Sequence, residues 1–351
     1  MTGRERVQRA LDFLPLDRAP RSPWALPGVM MFRGEEYQRL VARFPPDITG
    51  PGAGYRAGRL ASGTPCLKGS YTDNWGSRFE VMEDGVIGEV KAPLFGAGYE
   101  ALAGWQPPFE LLEGVDLAAV SRHHAASREF VLAGTETRPF ERMQFLRGTE
   151  NLMMDIALDE PGFYALRDRV HAFNLAEMRL WAGSAVDGVS FMDDWGSQRA
   201  LLISPRHWRK LFKPLYREYC DILHAAGKRV FFHSDGFIED IYPDLVEIGV
   251  NAVNSQLFCM DVEKLGRLYA GKIAFWGEVD RQAVLPFGSQ EEVRQAVRRL
   301  YAALCPDGVL RGVFAQCEWG VRDPEENINA VYDEWDRIAQ EAGRRSADAL
   351  L

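Results

Sequence analysis

The chain has no long apolar run, no basic surplus and no paired-cysteine pattern, and each absence removes a class of function. No stretch approaches the roughly 20 apolar residues that a membrane-spanning helix needs. The amino-terminal segment "MTGRERVQRALDFLPLDRAP" reads as an amphipathic helix ending near Pro15, without the apolar centre of a signal peptide. Both observations predict a cytoplasmic protein with no membrane partner. Acidic residues outnumber basic ones by 50 to 41, for a formal charge of −9. Such a chain repels a phosphate backbone, and no basic run interleaved with aromatics offsets this, so nucleic acid is excluded as a partner. The five cysteines, Cys66, Cys220, Cys259, Cys305 and Cys317, are odd in number and widely scattered. That pattern predicts free thiols rather than a disulfide framework. There is no internal repeat, low-complexity tract or linker, and only the polar tail "GRRSADALL" reads as disordered.

What is present is apolar mass in a periodic arrangement. Of 351 residues, 46% are hydrophobic and 26% charged, enough for one sizeable core. From about residue 128, short β-rich runs alternate with segments whose apolar residues recur at helical spacing, the pattern of parallel βαβ units. The predicted strands are 130–134, 188–194, 229–235, 251–255, 273–279 and 312–318. A helix opening at "SPRHW" has Ser204 as cap and Pro205 in its first turn, and another opens at "DPEEN". With two further strands around 18–24 and 45–50, the count reaches eight. The economical reading is an α/β fold consisting of a single (β/α)8 TIM barrel over residues 1–351, with an open doubly wound sheet as the alternative. Residues 50–120, rich in glycine, proline and aromatics, break the alternation. They read as an insertion forming part hairpin and part lid near the barrel mouth.

In a parallel barrel the chemistry gathers at the carboxyl ends of the strands. Those tips carry Asp193 and Asp194 in "FMDDWG", His233 and Asp235 in "FFHSDG", Glu278 in "FWGEVD", and Cys317 and Glu318 in "FAQCEWG". His233 and Asp235, two apart on a strand, point the same way. With Cys317 brought alongside by barrel closure, they make an N, O, S ligand set suited to Zn²⁺, with one position open for substrate. The competing reading is structural: Asp235 caps the next helix and His233 is a satisfied core histidine. For the aspartate pair, one member binds loop amides while the other faces the cavity. Glu278, preceded by a buried run, is a candidate catalytic carboxylate or an arginine partner. Trp75, Trp195 and Trp319, each followed by glycine, line a pocket or pack loops. Tyr71 and Asp73, beside Trp75 in the insertion, and Asp47 in "PPDIT" complete the candidate substrate contacts.

Taken together, "TGRERVQRALDFLPLDRAP", the block from "MDDWGSQRALLISPRHW" through "RVFFHSDGF" to "NAVN", then "FWGEVDRQAVLPFGSQEEV" and "AQCEW" resemble the uroporphyrinogen decarboxylase superfamily, over nearly the whole chain and in the family's order. The resemblance implies one (β/α)8 barrel with its active site in the mouth. True decarboxylases carry an arginine-rich motif of the type RQAGR. The corresponding "RSPWALPGVMMFRG" has only Arg21 and Arg33, too few placed guanidiniums for a polycarboxylate tetrapyrrole. The cobalamin-dependent methyltransferase branch binds zinc through His-x-Cys and a distant Cys. His233 and Cys317 match two of these positions, and Asp235 stands at the third. The resemblance thus implies a zinc enzyme, with Asp193, Asp194 and Glu278 as catalytic candidates. It would move a methyl group between a small substrate and a corrinoid held on a separate protein. A metal-free uroporphyrinogen decarboxylase using Asp47, Asp193 or Asp194, and a non-catalytic ligand-binding barrel, are the alternatives. The sequence is compatible with a homodimer.

Overall fold

A computed structural model of the chain describes residues 1–136 and 138–348. The last three residues of the tail expected to be disordered lie outside the described residues; its first part continues the helix Glu325–Asp348. Among the described residues eleven strands run in chain order: β1 Trp24–Ala25, β2 Ile48–Thr49, β3 Gly69–Thr72, β4 Arg78–Val81, β5 Glu89–Val90, β6 Phe130–Gly134, β7 Gly188–Met192, β8 Arg229–Ser234, β9 Ala252–Ser255, β10 Ala274–Phe275 and β11 Glu318–Trp319. Six form a parallel, curled sheet in the order β10-β9-β8-β7-β6-β2. β1 and β11 form a separate parallel pair. Bonds run from that pair's flanks to both edges of the large sheet. Asp47 N donates to Arg21 O at 2.8 Å, and Phe314 N to Phe275 O at 3.0 Å. The insertion contains the antiparallel sheet β3-β4-β5, apart from the parallel strands. Among the described residues no helix is long and apolar enough to cross a membrane, and all five cysteines are free.

The two-residue alternation of side chains along a strand sorts the core into two clusters. Phe130, Leu132, Phe231, Ala252, Ala274, Trp276 and Phe314 pack together on one face, joined by Val7, Ala10 and Leu11 of the helix Gly3–Leu11. Thr2 and Glu5 begin that helix with a capping box. Their neighbours Val131, Val189, Phe191, Val230, Phe232, Val253, Phe275 and Val313 face the other way, into the larger cluster shared with the helices. Where the inner face runs past its apolar layer, at the carboxyl ends, it turns polar.

Asp47 is one correction. It immediately precedes β2, at the amino end of the sheet and away from the polar tips, so it cannot contact a substrate bound there. Its carboxylate accepts from Arg6 Nη1 at 2.6 Å, Arg18 Nη1 at 2.6 Å and Arg21 N at 2.7 Å. The group fastens the amino-terminal segment to β2. Asp47→Ala would leave the guanidinium of Arg6, whose side chain is 7% exposed, short of a buried partner. The expected loss is about 3 kcal/mol in urea unfolding, typical of removing one member of a buried ion pair; a loss below about 1 kcal/mol would show that the cluster is dispensable.

Candidate active site

The residues after β7 and β8 bring the first three groups together. Gly196 N donates to Asp235 O at 3.1 Å, and Asp235 N to Asp194 Oδ1 at 2.9 Å. The two loops touch backbone to backbone: a Cβ on Gly236 (φ +76°) would lie 2.2 Å from Gly196 O, and one on Gly196 2.4 Å from Phe237 N. Only glycine permits this approach. It holds Asp194 and Asp235 on either side of His233, whose Nε2 is 3.5 Å from Asp194 Oδ1 and 3.6 Å from Asp235 Oδ1. The β8–β9 register places Asn254 beside His233, and Asn254 Oδ1 lies 2.6 Å from His233 Nδ1. Because Asn254 Nδ2 donates to Trp276 O, its Oδ1 is the end that accepts from the imidazole. Nδ1 is therefore the protonated nitrogen, and in the neutral ring the Nε2 lone pair faces the two carboxylates.

These three side chains are the one group of potential metal ligands found among the described residues, with their ligand atoms all within 4.8 Å of one another. Four-coordinate zinc with bonds of about 2.0–2.2 Å separates neighbouring ligand atoms by about 3.3–3.6 Å, so a divalent ion fits between them without large movement. Two carboxylates and a neutral imidazole also balance its charge.

Cys317 does not belong to this group, contrary to expectation. On the last strand Phe314, Gln316 and Glu318 have the inward parity, whereas Cys317 falls with Val313, Ala315 and Trp319 in the outer cluster. Its polar contact is Tyr332 Oη at 4.0 Å, and burial pushes its thiol up to about 12, the opposite of what a ligand thiolate requires. Asp194 stands in its place. Asp235 does not cap a helix; its Oδ2 accepts from Arg281 Nη2 at 2.5 Å.

The consecutive aspartates divide as alternation requires. Asp193, fully buried, accepts from Phe140 N at 2.6 Å, Glu141 N at 2.9 Å and Tyr216 Oη at 2.5 Å. It thereby holds the start of the helix Pro139–Arg147, and burial raises its pKa to about 7 despite these bonds. Asp194 faces the cavity and accepts from Arg138 Nη1 at 3.0 Å. Burial opposes its ionisation, but the His233 ring in its protonated form, together with Arg138, outweighs it and holds the carboxyl at about 2. Glu278 is 1% exposed, and neither of its oxygens takes a hydrogen bond among the described residues. Burial pushes it to about 8, with Arg281 working against the rise.

The remaining candidates pack the surroundings. Trp195 is buried on Phe140 at 4.1 Å and donates to Tyr216 Oη. Trp319 donates to Asp323 O. Trp75 lies under the guanidinium of Arg142, which also pairs with Asp73, while Asp73 closes its own turn on Trp75 N and Ser77 N. Tyr71 stacks on Phe79 at 4.8 Å. None of these five lines the cavity over His233, which measures about 630 Å³. Its wall includes Glu318, one of the strand-tip residues noted in the sequence, and Arg138, Glu141, Arg281 and Trp24, which the sequence did not bring forward, together with Ile87 from the loop before β5. Trp24 covers the His233 ring at 5.0 Å. Five carboxylates and two guanidiniums line this cavity, so it is net acidic with His233 neutral.

The sequence matches the family model described as uroporphyrinogen decarboxylase (URO-D) over residues 76–336. No curated protein matches it. Among solved structures, a methyltransferase from Methanosarcina mazei is similar, with a TM-score of 0.70 and 14% identity, covering 96% of this chain and 99% of that one. A glycosylated endo-β-1,4-xylanase from Gloeophyllum trabeum is also similar, with a TM-score of 0.45 and 9% identity over 93% and 98% of the two chains. At 14% identity the likeness to the methyltransferase is one of fold. With the family model matched over residues 76–336, from β4 into the last helix, this chain belongs to the uroporphyrinogen decarboxylase family.

Proposed function

We propose that this chain is a cytoplasmic, metal-assisted methyltransferase of its family, passing a methyl group between a small substrate and a corrinoid held on a separate protein. The observation that carries the reading is the His233 ring, locked by Asn254 so that Nε2 faces Asp194 and Asp235. The same reading takes the two parallel sheets as one closed (β/α)8 barrel over a single domain, with residues 50–120 as an insertion across the mouth. The methyltransferase from Methanosarcina mazei, which shares the fold, supports the choice of chemistry. The acidic cavity argues against the decarboxylase alternative, because a polycarboxylate tetrapyrrole would meet like charge.

His233, Asp194 and Asp235 would hold the ion. Without sulfur the set is harder than the family's thiolate pattern, and Zn²⁺ bound there would supply Lewis acidity, lowering the pKa of a thiol or hydroxyl group that it receives. The chain's own residues do the rest. Arg138 and Arg281 each hold the outer oxygen of one aspartate, leaving the other oxygen turned toward His233. Trp24 keeps water from one face of the ring. Glu278, protonated at neutral pH, keeps its proton on an enclosed carboxyl oxygen beside Arg281 and so leaves that guanidinium to Asp235 and Glu318.

Protein purified without chelator is expected to contain about one equivalent of divalent metal by mass spectrometry of the elements. His233→Ala and Asp194→Asn should lose most of it, whereas Cys317→Ala should retain it while losing about 1–2 kcal/mol of stability from its packed site. Metal-free wild type, or loss on removing Cys317 alone, would overturn the assignment.

A second expectation follows from Glu278. Its folded pKa of about 8 lies above its usual 4.5, so the native state keeps a proton that the unfolded chain releases. Stability contributed in this way is present at low pH and lost as pH rises through about 8. Glu278→Gln, which does not titrate there, should therefore gain on wild type as pH increases from about 5 to about 8. Thermal unfolding across that range checks the sign, and parallel curves for the two proteins would refute it.

A further inference from the structure

The pairing of β1 with β11 gives the cavity over His233 two unlike walls. Their register sets Trp24 beside Glu318, so an apolar surface and a charged one rise next to each other from the strand tips. The apolar wall begins at the imidazole, where the Trp24 ring lies 5.0 Å from that of His233. It continues through Leu26 and through Pro27, which opens the helix Pro27–Phe32, to Ile87 of the insertion. Leu26 N donates to Trp319 O at 3.0 Å, and Tyr71 Oη donates to Ile87 O at 3.2 Å. Both residues are thus fastened through their backbones, while Leu26 and Ile87 stay 37% and 52% exposed at the mouth.

The charged wall satisfies itself. Arg138 Nη1 lies 3.0 Å from Asp194 Oδ2 and 3.3 Å from Glu141 Oε2, and Arg281 pairs with Asp235 and Glu318. Each guanidinium therefore already faces two carboxylates. The fifth acid of the wall, Asp323, accepts from Gly320 N at 2.6 Å. An ion between His233, Asp194 and Asp235 would engage the inner oxygens of the two aspartates and leave these outer pairs in place. A guest with a charged body would have to leave water without gaining a partner of opposite sign, and an anionic one would also meet like charge in a partly enclosed space where screening is weak. The apolar wall makes no such demand. At about 630 Å³ the cavity falls within the usual range of ligand pockets, about 300–1,000 Å³, with room for an aromatic ring.

On the methyl-transfer reading, we propose that the small substrate is uncharged apart from its reacting heteroatom: a thiol, an alcohol or a methyl ether of either, whose apolar body lies against Trp24, Pro27 and Ile87.

Three thiols of one shape test this. Benzyl mercaptan, para-(mercaptomethyl)benzoate and para-(aminomethyl)benzyl mercaptan are titrated calorimetrically into the full-length protein, with one equivalent of zinc chloride and again in EDTA. With zinc, the neutral thiol should bind best and the carboxylate at least about tenfold more weakly, with the ammonium compound also weaker. Ile87→Lys, at an exposed position of the apolar wall, should weaken benzyl mercaptan several-fold and strengthen the carboxylate, with zinc content unchanged. A residue that merely shapes the loop would not reverse the order. In EDTA the neutral thiol should still bind better than the carboxylate, though both more weakly. Preference for the neutral thiol with no gain from zinc would remove the metal assignment and leave the substrate class standing; zinc-dependent binding without that preference would do the reverse. Equal or tighter binding of either charged thiol to the zinc-loaded protein, an unchanged order in Ile87→Lys, or no binding of benzyl mercaptan would overturn the proposal.

Discussion

A neutral imidazole offers one lone pair, and a fixed neighbour decides where it points. Asn254 is that neighbour. Its Nδ2 is taken by the carbonyl of Trp276, which leaves Oδ1 toward His233 and makes Nδ1 the protonated nitrogen. Both residues are buried, and the parallel register of β8 and β9 sets them side by side. A hydrogen bond in this low-dielectric setting is expensive to leave unmade, so the ring has little freedom to rotate or change tautomer. The orientation of Nε2 toward two carboxylates is thus a consequence of strand pairing, and the two glycine contacts between the following loops fix the carboxylates in turn.

Electrostatic contrast between adjacent residues follows from the same alternation. Asp193 and Asp194 share a peptide bond but occupy opposite faces of the sheet. The first is surrounded by a phenol and two backbone amides, neutral donors that do not overcome burial, and rises to about 7. The second meets Arg138 and His233 and stays near 2. One carboxyl organises the helix that delivers Arg138 and Glu141 to the cavity, and the other keeps its charge where a cation can use it. Mutating either would disturb the site, Asp193 through the position of a helix and Asp194 through direct loss of a negative group.

Much of this architecture was legible in the sequence because strand runs and helix caps are local signals. The eight predicted strand regions all contain observed strands or the bridges beside them, and Ser204 caps its helix as its spacing suggested. The pairing of His233 with Asp235 followed from period two. The same rule, applied to "GVFAQCEWG", would have paired Phe314 with Gln316 and Glu318 and set Cys317 apart. What a continuous apolar run does not reveal is which parity faces inward, since both faces of a parallel strand are buried. Arg138 and Arg281 were illegible for another reason. They lie in loops after the tips, and their targets are set by how far a long side chain reaches in three dimensions. Asp47 misled because a carboxylate at a strand's beginning and one at its end look alike until the strand's limits are known.

If an ion is held as proposed, Asp194 in place of a sulfur ligand would change what the cavity can tolerate. A thiolate set would soften such an ion and lend it electron density; two carboxylates would leave it harder and more electron-poor. They also need counter-charges when the ion is absent, and Arg138 and Arg281 provide them. Those arginines are already shared with Glu141 and Glu318, which leaves Glu278 only a 3.5 Å contact with the divided guanidinium of Arg281. Glu278 is the residue on which this shortage falls: wholly enclosed, opposed by neighbouring aspartates, and retaining its proton near neutrality. A buried acid in that state weakens the fold above its unfolded pKa, so its place beside Arg281 does not serve stability at neutral pH.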